Sequence, residues 1–399
     1  MTTNPRLLFF SERYPPDLGG VASSAGRISR ALASLGVAVD VITWTRSLQP
    51  GVVTNEDGNP GVYRVGRFRE WDTTMPHTMN LVDWLCSLQS YDAVWGHYLS
   101  PAGFLAAWTG RLKGIRSAVS IRGNDLDRDM FPPGDFARLR WTLENANFIT
   151  AVTGALADKV TALCGRSDVI HLHNAVDHET FKPLPPNAAL RESLGIRADE
   201  AVLGFAGELR EKKGLQYLIQ ALRAVQARRP ACLLVIGEVR PSEMPRLMQW
   251  IPAGDLMENR IVVTGQLATP VQVTEHLQLS DVYLQPSLWD GMPNALLEAM
   301  AAGCGVIGSD AGGIPEILTA GADGIVIPRW QLHRLGDAVL EWLDADPEHR
   351  TRIRRAARER VISEFGLDKE RRKLQAILET LIPNCSYAET KASQARSQE

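Results

Sequence analysis

Short apolar runs alternate with segments of helical periodicity along most of the chain. Arg6–Phe10 is typical of a buried strand, and the turn Tyr14–Gly20, rich in proline and glycine, follows it. Apolar residues then recur at spacings of three and four from Val21 to Leu35, which predicts one buried face of a helix. The run Val37–Trp44 completes a strand–helix–strand unit. Because such a unit joins parallel strands, the sequence predicts an α/β fold with a parallel sheet.

The same alternation restarts after a proline-rich connection at 174–186, with Ala201–Ala206 as the next strand. A chain of 399 residues is long enough for two domains. We expect an N-terminal Rossmann-like domain over residues 1–174 and a C-terminal one over 175–365. A helix over residues 366–384, with the option of packing back on the first domain, and a disordered tail over 385–399 complete the expected organisation.

Charge and cysteine usage exclude several classes of protein. Lys plus Arg number 43 and Asp plus Glu 46, for a net charge of −3, so the basic footprint of a nucleic-acid-binding protein is missing. Five scattered cysteines without a CxxC pair argue against a disulfide scaffold or a zinc site. No apolar stretch has the length of a signal peptide or a membrane span. The expectation is a cytoplasmic protein, with peripheral contact at the inner membrane face left open.

One segment bears on that membrane contact. Phe104–Arg116 begins apolar and ends basic, as a helix lying on a membrane surface would. Its two glycines weaken such a helix, and Leu105, Trp108 and Leu112 suit a core equally well. Core packing is the favoured interpretation.

Two loops have the composition of anion sites. Gly19 and Gly20 follow a strand and open a helix, whose N-terminal N–H groups and dipole favour phosphate; a plain tight turn explains them equally well. The segment Phe205–Gly214 likewise ends a strand and opens a helix. Arg210, Lys212 and Lys213 crowd this helix start, although cations there oppose the helix dipole. A shared anion such as a diphosphate explains them better than a solvated charged loop.

A third segment, Pro286–Gly303, combines two acids with a glycine turn. Asp290 lies in the turn, and Glu298 lies eight residues later within an apolar helix. A carboxylate buried among such neighbours needs hydrogen-bond donors, and ribose hydroxyls would suit; a structural cap or ion pair is the alternative. The backbone amides of Gly291 and Met292 could face a sugar.

Taken together, these motifs resemble the family 4 glycosyltransferases, over the chain from Phe9 to about Phe365. Further matches to the family are Val39–Thr43, the stretch Asn174–Asp177 with Phe181 and Pro183, and Gly312–Glu316. The resemblance implies the GT-B fold, which has two facing Rossmann-like domains with parallel sheets and an interdomain cleft. It also implies a retaining enzyme that transfers a sugar from a nucleotide-diphosphate sugar to an acceptor hydroxyl. No cofactor and no metal are expected, because the family usually works without one and because His171 and His173 alone are too few ligands.

The resemblance also assigns roles to residues. The donor diphosphate would contact Gly19, Gly20, Arg210 and Lys213; the nucleotide ribose would contact Glu298; and the donor sugar would contact Asp290, Gly291 and Met292. His97, at a strand end, would lie near the reacting sugar and form the catalytic group with Asp125 and Asp290. The mechanism expected for the family is front-face attack, in which the departing phosphate takes the acceptor proton.

Three positions depart from the family pattern. The first acid of the family's paired glutamates is Asp290, which reaches less far. The arginine that follows the loop glycine in the family is Glu208, and Arg210 is a candidate to replace it. The family's His-Gly-x-Asp appears as Arg122-Gly-Asn124-Asp125, in which Arg122 and Asn124 could meet an anionic acceptor or the diphosphate.

Two other functions remain compatible with the sequence. A degenerate GT-B scaffold that binds nucleotide without turnover would explain the changes at Glu208 and Arg122. A sugar-nucleotide epimerase would require paired carboxylates for proton transfer, and the arrangement matches a transferase better. The donor base is undetermined, and the acceptor could be a glycan, a lipid-linked glycan or a small molecule.

Overall fold

Two α/β units make up the part of the chain that the computed structural model describes, residues 4–123, 125–128, 130–251 and 254–383. The first unit runs to Leu172 and takes up the chain again at Arg371. The second unit spans His173–Glu370. The prediction of two α/β domains with parallel sheets is confirmed.

The first unit is built on an eight-stranded sheet of order β3-β4-β2-β1-β5-β6-β7-β8. Its strands are β1 (Arg6–Ser11), β2 (Ala38–Thr45), β3 (Val53–Glu56), β4 (Gly61–Gly66), β5 (Ala93–His97), β6 (Arg116–Ile121), β7 (Phe148–Ala151) and β8 (Ile170–His171). All pairs are parallel except β3 with β4. The sequence did not predict this edge hairpin, because every residue of β3 is exposed and the strand has no apolar run.

Helices cover this sheet. They are α1 (Gly20–Ser34), α2 (Trp71–Leu88), α3 (Phe104–Lys113), α4 (Asp125–Arg128), α5 (Pro133–Asn145) and α6 (Gly154–Cys164), with an irregular helical turn at Leu99–Gly103. The predicted buried face of α1 is present, with Ile28 and Leu32 fully buried. Helix α3 only partly meets its expectation, because Leu105 is buried in the core whereas Leu112 is 60% exposed.

The second unit has a six-stranded, entirely parallel sheet of order β11-β10-β9-β12-β13-β14. Its strands are β9 (Ala201–Ala206), β10 (Ala231–Ile236), β11 (Ile261–Val263), β12 (Val282–Gln285), β13 (Val306–Ser309) and β14 (Ile325–Ile327). Its helices are α7 (Ala188–Ser193), α8 (Leu215–Gln226), α9 (Met244–Trp250), α10 (Pro270–Leu277), α11 (Asn294–Ala301), α12 (Ile314–Ile317), α13 (Leu335–Asp344) and α14 (Pro347–Phe365). Short 3₁₀ turns lie at Glu211–Lys213, Pro241–Glu243 and Arg329–Arg334.

The last helix, α15 (Leu367–Leu381), follows α14 after a break at Gly366. Leu374, Leu378 and Leu381 join the hydrophobic core that contains Leu7 of β1. Burying each such side chain stabilises the fold by about 2 kcal/mol, so α15 is an integral part of the first unit from Arg371 onwards. The predicted disordered tail, 385–399, lies outside the described residues.

Within the described ranges, no helix combines the length and the apolar character that crossing a membrane requires.

Candidate active site

Both sheets have a switch point at which the strand order reverses. In the first unit β1 lies between β2 and β5, and in the second β9 lies between β10 and β12. Open parallel sheets bind ligands at the carboxyl ends of the strands that flank such a point. The predicted site residues of each unit follow these strands or lie in the loops beside them. The topology therefore explains why they are near one another within each unit.

In the second unit, the loops that follow β9 and β12 fit closely together. The backbone carbonyl of Lys212 accepts hydrogen bonds from the amides of Leu288 (2.9 Å) and Trp289 (3.3 Å). Gly214 has φ of 83°, and a Cβ there would lie 2.1 Å from the carbonyl oxygen of Pro286. Only glycine permits both this backbone conformation and this approach. The cationic loop is therefore held against the loop that contains Asp290.

Lys213 and Asp290 meet at this contact, where the lysine ammonium donates to the aspartate carboxylate. The Ser287 hydroxyl also donates to Asp290 Oδ2 (3.2 Å), and the Gly291 amide donates to Oδ1 (3.1 Å). Three donors thus fix the orientation of the Asp290 carboxylate. The Gly291 amide, which we expected to face a sugar, is engaged by Asp290 instead.

Further cations surround this pair. Burial lowers the pKa of Lys212 to about 8, with nearby Arg210 as the next cause. Burial also lowers the pKa of Arg210, and Arg240 contributes to that shift. Partly buried cations that lower one another's pKa form a cluster to which an anion would bind favourably.

Glu298 lies on α11 and is less buried than the sequence predicted. Leu297 and Met300 are fully buried, but Glu298 is only half-buried because it lies off their face of the helix. Its charge raises the pKa of the buried Tyr283, after the larger effect of burial. Glu298 is therefore partly buried, rather than fully buried among the apolar side chains of this helix.

Met292, the other predicted sugar contact, is buried at 4% exposure. Its carbonyl accepts a hydrogen bond from Asn174 Nδ2 (2.6 Å). The backbone after Asp290 is thereby fixed to the start of the second unit. Asn174 is one of the residues on which the family resemblance rests, and this contact gives it a structural role.

His97 ends β5 in the first unit and is fully buried. Its Nε2 lies 2.8 Å from the Ser24 hydroxyl, and its ring stacks on Phe9 at 5.9 Å. Burial, and then the charges of Arg122 and Arg27, place the pKa of His97 well below 6.5. The Ser24 hydroxyl donates to the Val21 carbonyl (3.1 Å), which favours the tautomer with hydrogen on Nε2. Nδ1 is buried and has no hydrogen-bond partner among the described residues.

Asp125, predicted to be catalytic, is fully buried. Its carboxylate accepts hydrogen bonds from the backbone amides of Leu99 (3.1 Å), Arg122 (3.2 Å) and Gly123 (2.9 Å). Burial raises the pKa of Asp125, and these amides oppose that shift. Because Asp125 ties the loop after β5 to the loop after β6, the geometry favours a positioning role over direct catalysis.

The loops that Asp125 joins carry Arg122 and a strained residue. Arg122 is 7% exposed and donates to the Leu172 carbonyl (3.1 Å). Tyr98, directly after His97, has φ of 86°, which is rare for a residue with a side chain. Such strain clusters at functional sites, where the surrounding contacts maintain it. Asn124 lies outside the described residues.

The start of α1 offers backbone donors. Gly19 precedes the helix with φ of 111°, and no side chain caps the first turn. Gly19 and Gly20 are both exposed. These features are compatible with the predicted phosphate contact and equally with a tight turn.

No group of three or more His, Cys, Asp or Glu side chains in the described ranges has the arrangement of a metal site.

Two family models match the chain, one in each half. Residues 19–175 match the model described as "Glycosyl transferase 4-like domain", and residues 187–360 match "Glycosyl transferases group 1". The chain belongs to the family 4 glycosyltransferases. The predicted family and the predicted enzyme class are confirmed.

Curated relatives of this family 4 glycosyltransferase are distant but match along most of their length. The N-acetyl-alpha-D-glucosaminyl L-malate synthase of Bacillus anthracis is 24% identical over 89% of this chain and 92% of its own. A GDP-mannose-dependent monoacylated alpha-(1-6)-phosphatidylinositol monomannoside mannosyltransferase of Corynebacterium glutamicum is 24% identical over 95% and 99%.

Solved structures show that the family 4 enzyme has the GT-B fold. The sucrose-phosphate synthase of Thermosynechococcus elongatus aligns with a TM-score of 0.78 at 19% identity, over 96% of this chain and 100% of its own. Anabaena HepE, solved with UDP-glucose, aligns with a TM-score of 0.75 at 18% identity, over 94% and 99%.

Sequence reasoning missed one member of the cationic cluster in this glycosyltransferase. Arg240 follows β10 and donates through Nε and Nη2 to the two carboxylate oxygens of Glu208, at 2.9 and 2.6 Å. A signal was present, because Gly237-Glu-Val-Arg240 repeats the pattern of Gly207-Glu-Leu-Arg210.

Proposed function

We propose that this family 4 glycosyltransferase transfers a sugar from a nucleoside diphosphate sugar to an acceptor hydroxyl, with retention at the anomeric carbon. One observation carries the proposal: at the switch point of the second unit Lys213 donates to Asp290, and Asp290 also acts electrostatically on Arg210 and Lys212. Cations beside an oriented carboxylate suit a donor with an anionic diphosphate next to a sugar rich in hydroxyl groups.

The charge requirements of the reaction fit these residues. As the glycosidic bond breaks, negative charge grows on the leaving diphosphate and positive charge grows on the sugar. Lys213 and Arg210 would stabilise the diphosphate, and preorganised charges are the largest single contribution in many enzymes. Asp290 would accept a hydrogen bond from a sugar hydroxyl and fix the sugar relative to the phosphates. Glu298 would accept hydrogen bonds from the ribose.

Front-face attack is the proposed route to retention. The acceptor hydroxyl would form its bond to the anomeric carbon on the face that the diphosphate leaves. Its proton would pass to the departing phosphate oxygen, so the protein need not supply a base. Asp290 and Glu298, the two carboxylates assigned to the donor, already have binding roles in this scheme. Neither Asp290 nor Glu298 is then required as a covalent nucleophile.

The residues of the first unit have supporting roles in the proposal. The imidazole of His97 is held neutral by its surroundings, so it would contact the sugar as a hydrogen-bonding group without charge. Gly19 and Gly20 would offer backbone amides to a phosphate. Arg122 would supply positive charge to an anionic acceptor or to the diphosphate.

The proposal allows two donor bases and three kinds of acceptor. The name of the Corynebacterium relative specifies GDP-mannose, and Anabaena HepE was solved with UDP-glucose, so both bases are candidates. The relatives' names also span a small-molecule and a lipid product. A glycan, a lipid-linked glycan and a small molecule therefore stay as candidate acceptors. Contact with a membrane surface stays a prediction.

A thermal-shift screen against UDP, GDP, ADP, CMP and dTDP tests the proposal, followed by hydrolysis of the matching donor sugars. We expect one diphosphate to raise the melting temperature selectively and its donor to release sugar slowly. Binding without any sugar release would favour the nucleotide-binding scaffold. No shift with any of the five nucleotides would overturn the proposal.

A further inference from the structure

The loops after β9 and β10 carry the same four-residue pattern and pair with each other. Leu209 and Val239 form a parallel bridge beyond the ends of their strands. The amide of Leu209 donates to the Glu238 carbonyl (2.7 Å), and the amide of Arg240 donates to the Leu209 carbonyl (3.0 Å). The parallel ladder is therefore prolonged into the loops. In this register Arg210 lies opposite Arg240, on the same side of the ladder.

Glu208 lies between these two arginines. Arg240 binds it with both arms of the guanidinium, at 2.9 and 2.6 Å. Arg210 Nη1 lies 3.6 Å from Glu208 Oε2. Paired arginine–carboxylate forks are geometrically specific, so Glu208 fixes where Arg240 points. We call Arg210, Glu208 and Arg240 the charge triad.

The charge triad has two cations and one acid, and Glu243 is a further acid close enough to act electrostatically on both arginines. Arg210 Nε is buried and has no hydrogen-bond partner among the described residues. Arg210 and Lys212 both lie within the electrostatic reach of Asp290, which Lys213 already neutralises. A further anion at this loop would complete the hydrogen bonding of Arg210 and separate its charge from that of Arg240.

We propose that the charge triad forms part of the donor-diphosphate site, with Glu208 as a positioning residue that holds Arg210 and Arg240 together for the phosphates. The inference rests on the proposed function and names residues of that same site. It reverses the simplest reading of Glu208, which is that an acid in this loop weakens the binding of anions.

The physical reason is the repulsion between two guanidinium groups. Without Glu208, Arg210 and Arg240 repel each other and gain rotamer freedom by turning towards water. Binding a diphosphate would then require both side chains to be ordered again against that repulsion. With Glu208 in place, this ordering is already complete in the absence of the anion.

The sign of the effect of Glu208→Gln tests the inference. The Kd of UDP is measured by calorimetry for the wild type, or that of GDP, ADP, CMP or dTDP if the screen selects it. We expect Glu208→Gln and Arg240→Ala each to raise the Kd about tenfold, as loss of one charge-assisted contact would. The double variant should lose less binding free energy than the two single variants added together, because each single change already breaks the ion pair of Glu208 with Arg240. The matching nucleoside without phosphate should bind all variants alike.

Two controls separate this inference from the proposed function. Arg334→Ala removes an exposed arginine that is paired with Asp337 on α13, and it should leave the Kd unchanged. Lys213→Ala should weaken binding whether or not the triad takes part. If Glu208→Gln binds the nucleotide as tightly as wild type or more tightly, while Lys213→Ala binds it more weakly, the inferred role of the charge triad is wrong and the proposed function stands. Unchanged binding by Lys213→Ala would overturn the proposed site itself.

Discussion

The ammonium group of Lys213 is hydrogen-bonded to the carboxylate of Asp290. The residue assigned to the diphosphate and the residue assigned to the transferred sugar therefore neutralise each other. A bound donor would offer Lys213 phosphate oxygens and offer Asp290 a sugar hydroxyl. The pair would hold both side chains in place until the donor arrives. This arrangement predicts opposite effects on binding for the two residues.

Asp290→Asn should leave the affinity for the nucleoside diphosphate unchanged or higher, because Lys213 loses its competing partner. Turnover should fall by about 10² or more, as it does when an oriented polar contact to the reacting group is removed. Calorimetry with the diphosphate and steady-state donor hydrolysis measure the two effects. A variant with weaker diphosphate binding and normal kcat would contradict these roles.

Glu298→Ala should weaken nucleotide binding by about tenfold or more, because hydrogen bonds to a charged carboxylate contribute about 1.5–3 kcal/mol. The effect should depend on the ribose. Wild type should prefer UDP to dUDP, or GDP to dGDP, and the variant should lose this preference. Glu341→Ala, which removes an exposed acid on α13, is the matched control. Retention of the ribose preference by Glu298→Ala would exclude the assigned contact.

Much of the architecture was predictable because the local periodicity of apolar residues indicates where strands and helices lie. The alternation that begins with β1, α1 and β2 gave the parallel sheet, and the glycine turns marked the strand ends. The half-buried position of Glu298 was also predictable, since it lies off the helical face of Leu297 and Met300. The apolar composition of that helix instead suggested that every residue in it would be buried.

Contacts between distant segments were not predictable in the same way. The pairing of Glu208 with Arg240 depends on the register of β9 with β10, which a single sequence does not specify. The residue type and motif of Asp125 suit a catalytic role. Its three backbone partners come from the folded shape of two loops. Side-chain chemistry identifies candidate residues, whereas their hydrogen-bond partners come only from the folded structure.

Donor binding should weaken above pH 8 through Lys212, whose pKa is lowered to about 8. A bound diphosphate favours the charged ammonium and raises this pKa in the complex. Affinity is therefore full below pH 8 and falls as the pH rises, by up to about tenfold per unit. Lys212→Arg should give a flatter profile between pH 7.5 and 9.5 with the same nucleotide. Identical profiles for the two proteins would remove Lys212 from the site.

Acid should destabilise the protein through His97, whose pKa is lowered by burial. Below pH 6.5 the unfolded chain binds a proton at this residue that the folded chain does not. The contribution of neutral His97 to the free energy of unfolding is therefore complete above pH 6.5. It is lost as the pH falls, by at most about 1.4 kcal/mol per pH unit. The melting temperature of wild type should fall more than that of His97→Gln between pH 7.5 and 5.5. A parallel fall in both proteins would contradict the buried neutral imidazole.

Asp125→Ala should destabilise the first unit by about 3 kcal/mol or more, because it leaves two buried backbone amides and a partly buried one without this acceptor. Asp125→Asn should be milder, since one amide oxygen can still accept from Leu99 and Arg122. We expect Asp125→Asn to fold and to bind nucleotide as wild type does, with reduced kcat. Thermal unfolding and donor hydrolysis measure both effects. Equal stability of all three proteins would show that the carboxylate does not hold these loops.

The most direct test of the central claim is the sugar released from the selected donor, followed by proton NMR in wild type, Lys213→Ala and Glu298→Ala. The account predicts that wild type first releases the anomer present in the donor, and that both variants release it at least about tenfold more slowly at subsaturating donor. Release of the opposite anomer would contradict retention. Equal rates in all three proteins would contradict the assigned donor site.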